Sequence, residues 1–181
     1  MIKIKPFIFG ENINLCKPSK KFALESEWYN WFNDSLNTKY LDQVEETNTP
    51  EKQLKFFLSI KNRFILIIQD KTSKKYLGTV SLSNINGKKK SCELAIVRDL
   101  KQNKFSSTLS SLESISLITE YAFEKMGVEY KFVSRKKRNK DVFTYEEITA
   151  AVIKEYTVII NCTPLGTYPN IETRPEIPYQ E

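Results

Sequence analysis

The sequence has 181 residues, of which 40% are hydrophobic, and it carries a formal net charge of +6 with no histidine. This length favours one domain, or one domain plus an extension, and the lack of histidine excludes Ser-His-Asp and Cys-His nucleophile arrangements and most zinc sites. Lysine and arginine are scattered except at 88–90 and 135–138, so nucleic-acid binding is not expected. Without histidine no metal site is expected either. Catalysis would use carboxylates, Tyr, Lys, Cys, backbone amides or a cofactor.

The N-terminal third favours one strand followed by two helices. Residues 2–9 alternate as a strand does and lack the apolar stretch of a signal peptide. Residues 23–34 place apolar side chains three and four apart, which indicates an amphipathic helix. A second helix is predicted to begin at Thr49 and Pro50, a hydroxyl cap followed by proline. No window approaches the roughly 20 apolar residues of a membrane span, so we expect a cytoplasmic protein without a membrane partner.

The next segment predicts an antiparallel meander. Apolar, β-rich runs cover 63–70, 76–84 and 91–98. They are separated by a turn at 71–74 and by an Asn-Gly hairpin signal. Runs joined by such short connections are expected to pair as neighbouring antiparallel strands.

The longest helix is predicted over 107–126, with Gly127 as its C-terminal cap. Ser110 and Glu113 have the spacing of a capping box, which would fix its start. After it, 129–134 predicts a strand, and a helix over 145–154 and a strand over 156–162 follow in that order. The order of elements predicts a mixed α/β fold with a parallel crossover around the long helix.

The cysteines give little functional information. They are far apart and do not have the spacing of a metal site. A disulfide between two of them would leave the third unpaired, which favours a reducing compartment. They are Cys16, Cys92 and Cys162.

Four segments between residues 28 and 127 follow one another as WYNWFND, TKYL, YLGTVSL and ITEYAFEKMG. In this order and spacing they resemble the GNAT-family acyltransferases, especially the branch that includes ribosomal-protein and amino-sugar N-acetyltransferases. The resemblance covers residues 5–127, about two thirds of the chain. It implies a GNAT-like central sheet and acetyl-CoA as cofactor, with a small-molecule or peptide amine as acceptor.

The resemblance implies a site built largely from backbone groups. In such enzymes two splayed strands pair with the pantetheine amides, and the following helix N-terminus receives the pyrophosphate. The residues implied for the cofactor are Leu94, Ile96, Val97, Arg98, Lys104, Ser107, Ser110 and Ser111. Glu93 would be the general base or merely a solvent-facing strand residue. Tyr156 would donate a proton to the thiolate or only pack at a helix-strand junction.

The chain departs from the family at the phosphate loop, expected over 98–111. Ser107, Leu109 and Ser111 stand at the family's glycine positions when Glu113 is matched. Glycine serves there because a Cβ obstructs the approach of a phosphate to bare backbone. Lysine and serine side chains would compensate, or the loop would be a solvated connection on a protein whose CoA binding is impaired or lost.

Residues 127–181 carry the segments GVEYKFVSRKKRNKDVFTYEEI, EYTVIINCTPLGTYPN and PEIPY. These resemble shikimate dehydrogenase. The resemblance implies that Ser134 and Arg135 meet the 2′-phosphate of NADP, and that Asn161 and Thr163 border the cofactor. The glycine fingerprint of a dinucleotide site is missing, however, so reduction of dehydroshikimate is not expected. A solvated basic turn is the alternative for Arg135.

The sequence therefore leaves three hypotheses. The leading one is an acetyl-CoA-dependent N-acyltransferase with a truncated domain over 1–127. A gene fusion or a sequence artefact would join this domain to a strand-helix-strand segment over 128–181, which resembles part of a Rossmann domain. That segment is expected to complete the same sheet, and an unpaired edge strand would favour a homodimer. The alternatives are an NADP-dependent oxidoreductase fragment and a non-catalytic α/β module.

Overall fold

The computed structural model divides into two compact units, Met1–Ala122 and Phe123–Glu181. Residues 104–108 are described by their backbone only. The residues that the structure describes are 2–34, 37, 47–99, 101, 104–137, 140, 142–156, 165 and 172–178.

The first unit is built on a five-stranded sheet in which every pair of neighbouring strands is antiparallel. The strands lie side by side in chain order: β1 (Pro6–Phe9), β2 (Ile13–Cys16), β3 (Arg63–Asp70), β4 (Tyr76–Asn86) and β5 (Ser91–Arg98). The predicted bounds of β3 and β5 are confirmed, and β4 ends slightly later than predicted. The antiparallel meander is thus confirmed, whereas the parallel crossover stays a prediction.

Strand β2 is missing from the sequence prediction, which has a single strand over 2–9. The chain instead forms β1 only from Pro6 and turns back, and the Gly10 amide donates to the Ile13 carbonyl at 2.9 Å. All four residues of β2 are buried, and the strand pairs with β1 along one edge and with β3 along the other. Its Ile13-Asn14-Leu15 alternation covers too few positions to indicate a strand by itself.

The helix expected over 23–34 is two elements, α1 (Lys20–Glu25) and a 3-10 helix (Glu27–Phe32). Ser26 separates them, and its hydroxyl accepts a hydrogen bond from the Trp28 amide at 3.2 Å. A serine that caps a new helix in this way interrupts the preceding one, so the prediction of one helix was wrong.

Helix α2 (Pro50–Ser59) begins as predicted, since the Thr49 hydroxyl accepts from the Lys52 amide at 3.3 Å. Helix α3 (Lys104–Met126) is the longest, with 23 residues. Within the described residues, no helix combines the length and apolar character that crossing a membrane requires.

The helices pack on opposite faces of the sheet. Trp28 of the 3-10 helix belongs to one buried cluster with Ile67 and Val97. On the other face, the Tyr121 ring of α3 stacks on Phe64 with centroids 5.1 Å apart. Ile67 and Phe64 lie an odd number of positions apart on β3, so their side chains point to opposite faces. Helix α3 therefore covers the face that the N-terminal helices leave open.

One carboxylate attaches α3 to the turn between β1 and β2. The Glu113 oxygens accept hydrogen bonds from the Asn12 amide at 3.0 Å, from its side-chain nitrogen at 3.1 Å and from the Ile13 amide at 3.4 Å. A Cβ at Gly10 would lie 2.2 Å from the same carboxylate, so the turn needs glycine there. Glu113 thus serves a tertiary contact, and its predicted capping box with Ser110 was wrong because the helix already begins at Lys104.

The second unit contains the last residues of α3, which ends at Met126 and is followed by Gly127 (φ +60°) in the predicted position of the C-terminal cap. Strands β6 (Phe132–Val133) and β7 (Val142–Phe143) pair in parallel as a separate two-stranded sheet. A 3-10 helix (Tyr145–Glu147) and α4 (Ala150–Glu155) follow. The predicted strand over 129–134 is reduced to β6, the predicted helix over 145–154 is split, and residues 157–162 of the last predicted strand lie outside the described residues.

We predict that Glu113→Ala lowers the free energy of unfolding by about 1–2 kcal/mol, because hydrogen bonds to a charged group typically contribute about 1.5–3 kcal/mol and this site is partly exposed. Urea denaturation would measure the change. Glu124→Ala, at an exposed position of the same helix, is the matched control and should change stability by less than about 0.5 kcal/mol. Equal effects of the two substitutions would contradict the proposed role of the Glu113 contacts.

Candidate active site

The candidate site lies where β5 ends and α3 begins. Arg98, the last residue of β5, is opposite Gly78 of β4. Gly78 has φ +151°, and a Cβ built on it would lie 2.3 Å from the Val97 carbonyl oxygen. Glycine at this position therefore allows the two strands to approach each other closely beside Arg98.

The Arg98 side chain is buried, with 7% of the residue exposed. One terminal nitrogen donates to the Ser110 hydroxyl of α3 at 3.0 Å. Nε and the other terminal nitrogen are also buried, and they have no hydrogen-bond partner in the part of the chain that the structure describes. Burial lowers the pKa of Arg98 to about 10, while neighbouring Asp99 favours the charged form. At neutral pH the guanidinium is charged and incompletely hydrogen-bonded.

The expected phosphate loop over 98–111 is largely helical, which corrects the prediction. Helix α3 begins at Lys104, so Leu109 and Ser111 lie inside it and their backbone amides belong to its hydrogen-bond ladder. Such amides are not available to a phosphate; those of the first helical turn are. The physical reason is composition, because glycine disfavours a helix by about 1 kcal/mol per residue relative to alanine and this segment has none.

The side chains implied for this loop have different surroundings. Ser110 is buried against Arg98, Ser111 is half-buried, and the Ser111 carbonyl accepts from the Ser114 hydroxyl at 2.8 Å. Leu109 is 53% exposed, so it does not fill the space beside Arg98. The side chains of Lys104 and Ser107 lie outside the described residues.

Strand β5 is the edge of the sheet, and no described residue pairs with its outer side. An edge strand presents unpaired N–H and C=O groups to any extended partner. Leu94 and Ile96 alternate with Glu93 and Val97, so the two pairs point to opposite faces. Val97 is buried in the core, whereas Glu93 and Leu94 are exposed. Any contact of Val97 with a ligand would therefore involve its backbone.

A small cavity of about 70 Å³ adjoins the end of β5 and includes residues that sequence reasoning missed. Its lining includes Glu27, Trp31, Asp34, Arg98, Asp99 and Lys101. Three of these are acidic and two are basic. Glu27 directly precedes the WYNWFND segment and Asp34 ends it. The segment was therefore the sequence signal for these two residues, although nothing in its residue spacing indicates a cavity.

The remaining predicted residues belong to the second unit. The Ser134 amide donates to the Phe143 carbonyl at 2.9 Å, and Arg135 is exposed. Tyr156 is half-buried at the end of α4, where its amide donates to the Ile153 carbonyl at 3.1 Å. Asn161 and Thr163 lie outside the described residues. The structure brings Arg98 and Ser110 together, whereas Glu93 and Tyr156 belong to separate units.

No protein-family model and no curated protein matches the sequence. Solved structures do match. A GNAT-family acetyltransferase from Bacillus anthracis is 18% identical over 67% of this chain and 69% of that chain, with a TM-score of 0.54. A GCN5-related N-acetyltransferase from Brucella melitensis is 16% identical over 70% and 58%, with a TM-score of 0.55. Spermidine N-acetyltransferase from Vibrio cholerae, solved with CoA and spermine, is 14% identical over 65% and 67%, with a TM-score of 0.54.

About two thirds of the chain has the GNAT acetyltransferase fold. The chain spans between 58% and 69% of the length of these three solved structures. The expected GNAT-like central sheet is thereby confirmed. Nothing in the comparisons supports the resemblance of residues 127–181 to shikimate dehydrogenase or to part of a Rossmann domain.

We predict that Gly78→Ala destabilises the protein by more than about 2 kcal/mol, because the added Cβ meets backbone atoms of β5 and strains a positive φ. Thermal and urea unfolding would measure the loss. Gly87→Ala is the control, since a Cβ there has nothing within 4 Å, and it should be nearly neutral. Full stability of Gly78→Ala would show that β4 and β5 can separate at Arg98 without cost.

Proposed function

We propose that the chain is an acetyl-CoA-dependent N-acyltransferase that transfers an acetyl group to a primary amine. The observation that carries this proposal is the GNAT fold over about two thirds of the chain, shared with a spermidine N-acetyltransferase that was solved with CoA. One local feature also fits acetyl-CoA. The open edge of β5 offers backbone groups for the pantetheine amides.

The bound cofactor would supply an acetyl thioester. Backbone N–H groups at the edge of β5, in the segment that includes Leu94 and Ile96, would polarise the thioester carbonyl. The acceptor amine would displace the CoA thiol from the acetyl carbonyl, and Glu93 would take the proton that the amine loses, directly or through water. Glu93 lies on β5 and is exposed, so it can exchange protons with solvent. Tyr156 belongs to the second unit, and its predicted role as proton donor to the leaving thiolate stays a proposal from sequence.

The acceptor would approach from the cavity beside the end of β5. Carboxylates of Glu27, Asp34 and Asp99 give its lining a negative excess over Arg98 and Lys101. Such a lining favours an amine that arrives protonated, because opposite charges attract it and raise its local concentration. An amino sugar and a peptide amine are both of this kind.

Two further parts of the hypothesis from sequence stay proposals. If residues 127–181 derive from a dehydrogenase-like unit, Ser134 and Arg135 are the residues that would contact NADP phosphate. If two copies associate through the edge of β5, the homodimer would occupy the groups proposed for pantetheine. Acetyl-CoA should then shift the protein toward the monomer, which size-exclusion chromatography with and without the ligand would measure.

We predict that acetyl-CoA at about 100 times its Kd raises the free energy of unfolding by about 2.7 kcal/mol, as expected for a ligand that binds only the folded state. Thermal unfolding with acetyl-CoA and, separately, with NADPH would measure this. Stabilisation by NADPH alone would instead support the dehydrogenase-like alternative, and no response to either ligand would support a non-catalytic module.

Glu93→Gln should lower kcat about 10²- to 10⁴-fold if Glu93 is the general base, and its rate should depend less on pH. Release of CoA thiol with an amine acceptor would measure the rate. Glu129→Gln, another exposed carboxylate, is the control and should leave the rate unchanged. An unchanged rate for Glu93→Gln would show that water, and not Glu93, takes the proton from the amine.

A further inference from the structure

We propose that one end of the sheet in the first unit binds single-stranded nucleic acid. This surface, the basic end, consists of the turn at 87–90 between β4 and β5 together with Lys61 and Arg63, where β3 begins. The turn directly precedes β5, whereas Arg98 and the cavity beside it lie where β5 ends. The basic end is therefore separate from the candidate active site, and the inference does not rest on the proposed function.

Strand pairing brings together cations that are distant in the sequence. Arg63 is opposite Ser83 of β4, and β4 ends three residues later at Asn86. The turn that follows contains three exposed lysines, 88–90. These lysines therefore lie at the same end of the sheet as Lys61 and Arg63, although the two groups are about 25 positions apart. Their separation in sequence is the reason why a nucleic-acid partner was not expected.

Carboxylates are scarce around these cations. Between residues 53 and 92 the sequence has nine Lys or Arg and a single acidic residue, Asp70, which lies at the opposite end of β3. The next carboxylate after the turn is Glu93, and it is opposite Ser83. Surface cations without partners attract polyanions. Within the described residues, no ion pair is formed by Lys61, Arg63, Lys88 or Lys89.

The backbone of the lysine turn is held in one conformation. The Asn86 side-chain oxygen accepts a hydrogen bond from the Lys89 amide at 3.0 Å. Asn84 and Lys90 have φ values of +51° and +49°, which residues other than glycine rarely adopt. Between Ser83 and Asn86, β4 has one residue more than β5 opposite it, and such a bulge redirects the side chains beyond it. Cations fixed in this way lose less conformational freedom when they bind a ligand.

An exposed aromatic ring indicates which polyanion fits the basic end. Phe56 of α2 is 37% exposed, and the Arg63 guanidinium carbon lies 5.9 Å from its ring centroid. Exposed asparagines at 62, 84 and 86 add neutral side chains that can hydrogen-bond to phosphate and sugar oxygens. Cations beside a ring on which a base can stack are typical of surfaces that bind single strands.

A lipid surface and an acidic peptide fit the basic end less well. Binding to a membrane requires several apolar side chains beside the cations, and 84–91 contains Ile85 alone. An acidic peptide would pair with the lysines but would leave the ring of Phe56 without a partner. Single-stranded nucleic acid uses both features.

The first test measures the binding of a single-stranded RNA of about 16 nucleotides, the upper range of site sizes for one binding domain, by fluorescence anisotropy. Each phosphate contact on a single strand contributes about −0.7 to the slope of log affinity against log salt concentration. If all five cations contact phosphates, the slope should be about −3.5. A slope near zero, or no binding at about 0.05 M salt, would overturn the inference.

The second test compares two double variants that lose the same charge. Lys88→Gln with Lys89→Gln removes two cations of the basic end, which should make the slope less steep by about 1.4 and weaken binding about 25-fold at about 0.1 M salt. Lys74→Gln with Lys75→Gln is the control, because these exposed lysines lie in the turn at the opposite end of the sheet. Equal losses in the two variants would show that only the net charge matters, which would overturn the inference.

The third test identifies the class of polyanion. Phe56→Ala should weaken RNA binding at least about fivefold without changing the salt slope, because it removes the stacking ring and no charge. Polyglutamate and phosphatidylcholine vesicles that contain phosphatidylserine should bind more weakly than the RNA at the same ionic strength. Tighter binding of either one would overturn the choice of nucleic acid. None of these measurements includes acetyl-CoA, so failure of the proposed function would not affect their outcome.

Discussion

The Glu113 carboxylate, which accepts hydrogen bonds from the backbone amides of Asn12 and Ile13, fixes α3 against the sheet. Hydrogen bonds depend on both distance and direction, so two backbone amides of a tight turn help to define the position of the helix. With the helix held there, Tyr121 stacks on Phe64 and Ser110 contacts Arg98. The candidate site thus depends on a contact that lies outside it.

The absence of glycine from the segment before Glu113 has two opposite effects. It lets α3 extend by several residues toward β5, which adds helical hydrogen bonds. It also withdraws from any ligand the amides that a flexible loop would have presented. About two thirds of the chain therefore has a GNAT fold in which a helix occupies the place of the expected loop, and the buried guanidinium of Arg98 contacts that helix.

Much of the fold could be predicted from sequence where local signals and packing agree. Strands β3 and β5 have strong apolar runs and clear turns, and Thr49 with Pro50 marks a helix start by chemistry that needs no tertiary context. Strand β2 could not be predicted, since its four residues give too short an alternation to indicate a strand without the tertiary pairing with β1 and β3. The burial of Arg98 was equally invisible, because arginine at a strand end is normally exposed and only Ser110, 12 residues later, reveals otherwise.

The incompletely paired guanidinium of Arg98 also bears on how the sequence would change over time. A buried charge whose hydrogen-bond donors are only partly satisfied opposes folding, so random mutagenesis screened only for soluble, folded protein should enrich apolar residues at position 98. Screening the same library for activity would set this folding preference against function. The frequency of arginine in the two populations would show which of them has shaped this part of the molecule.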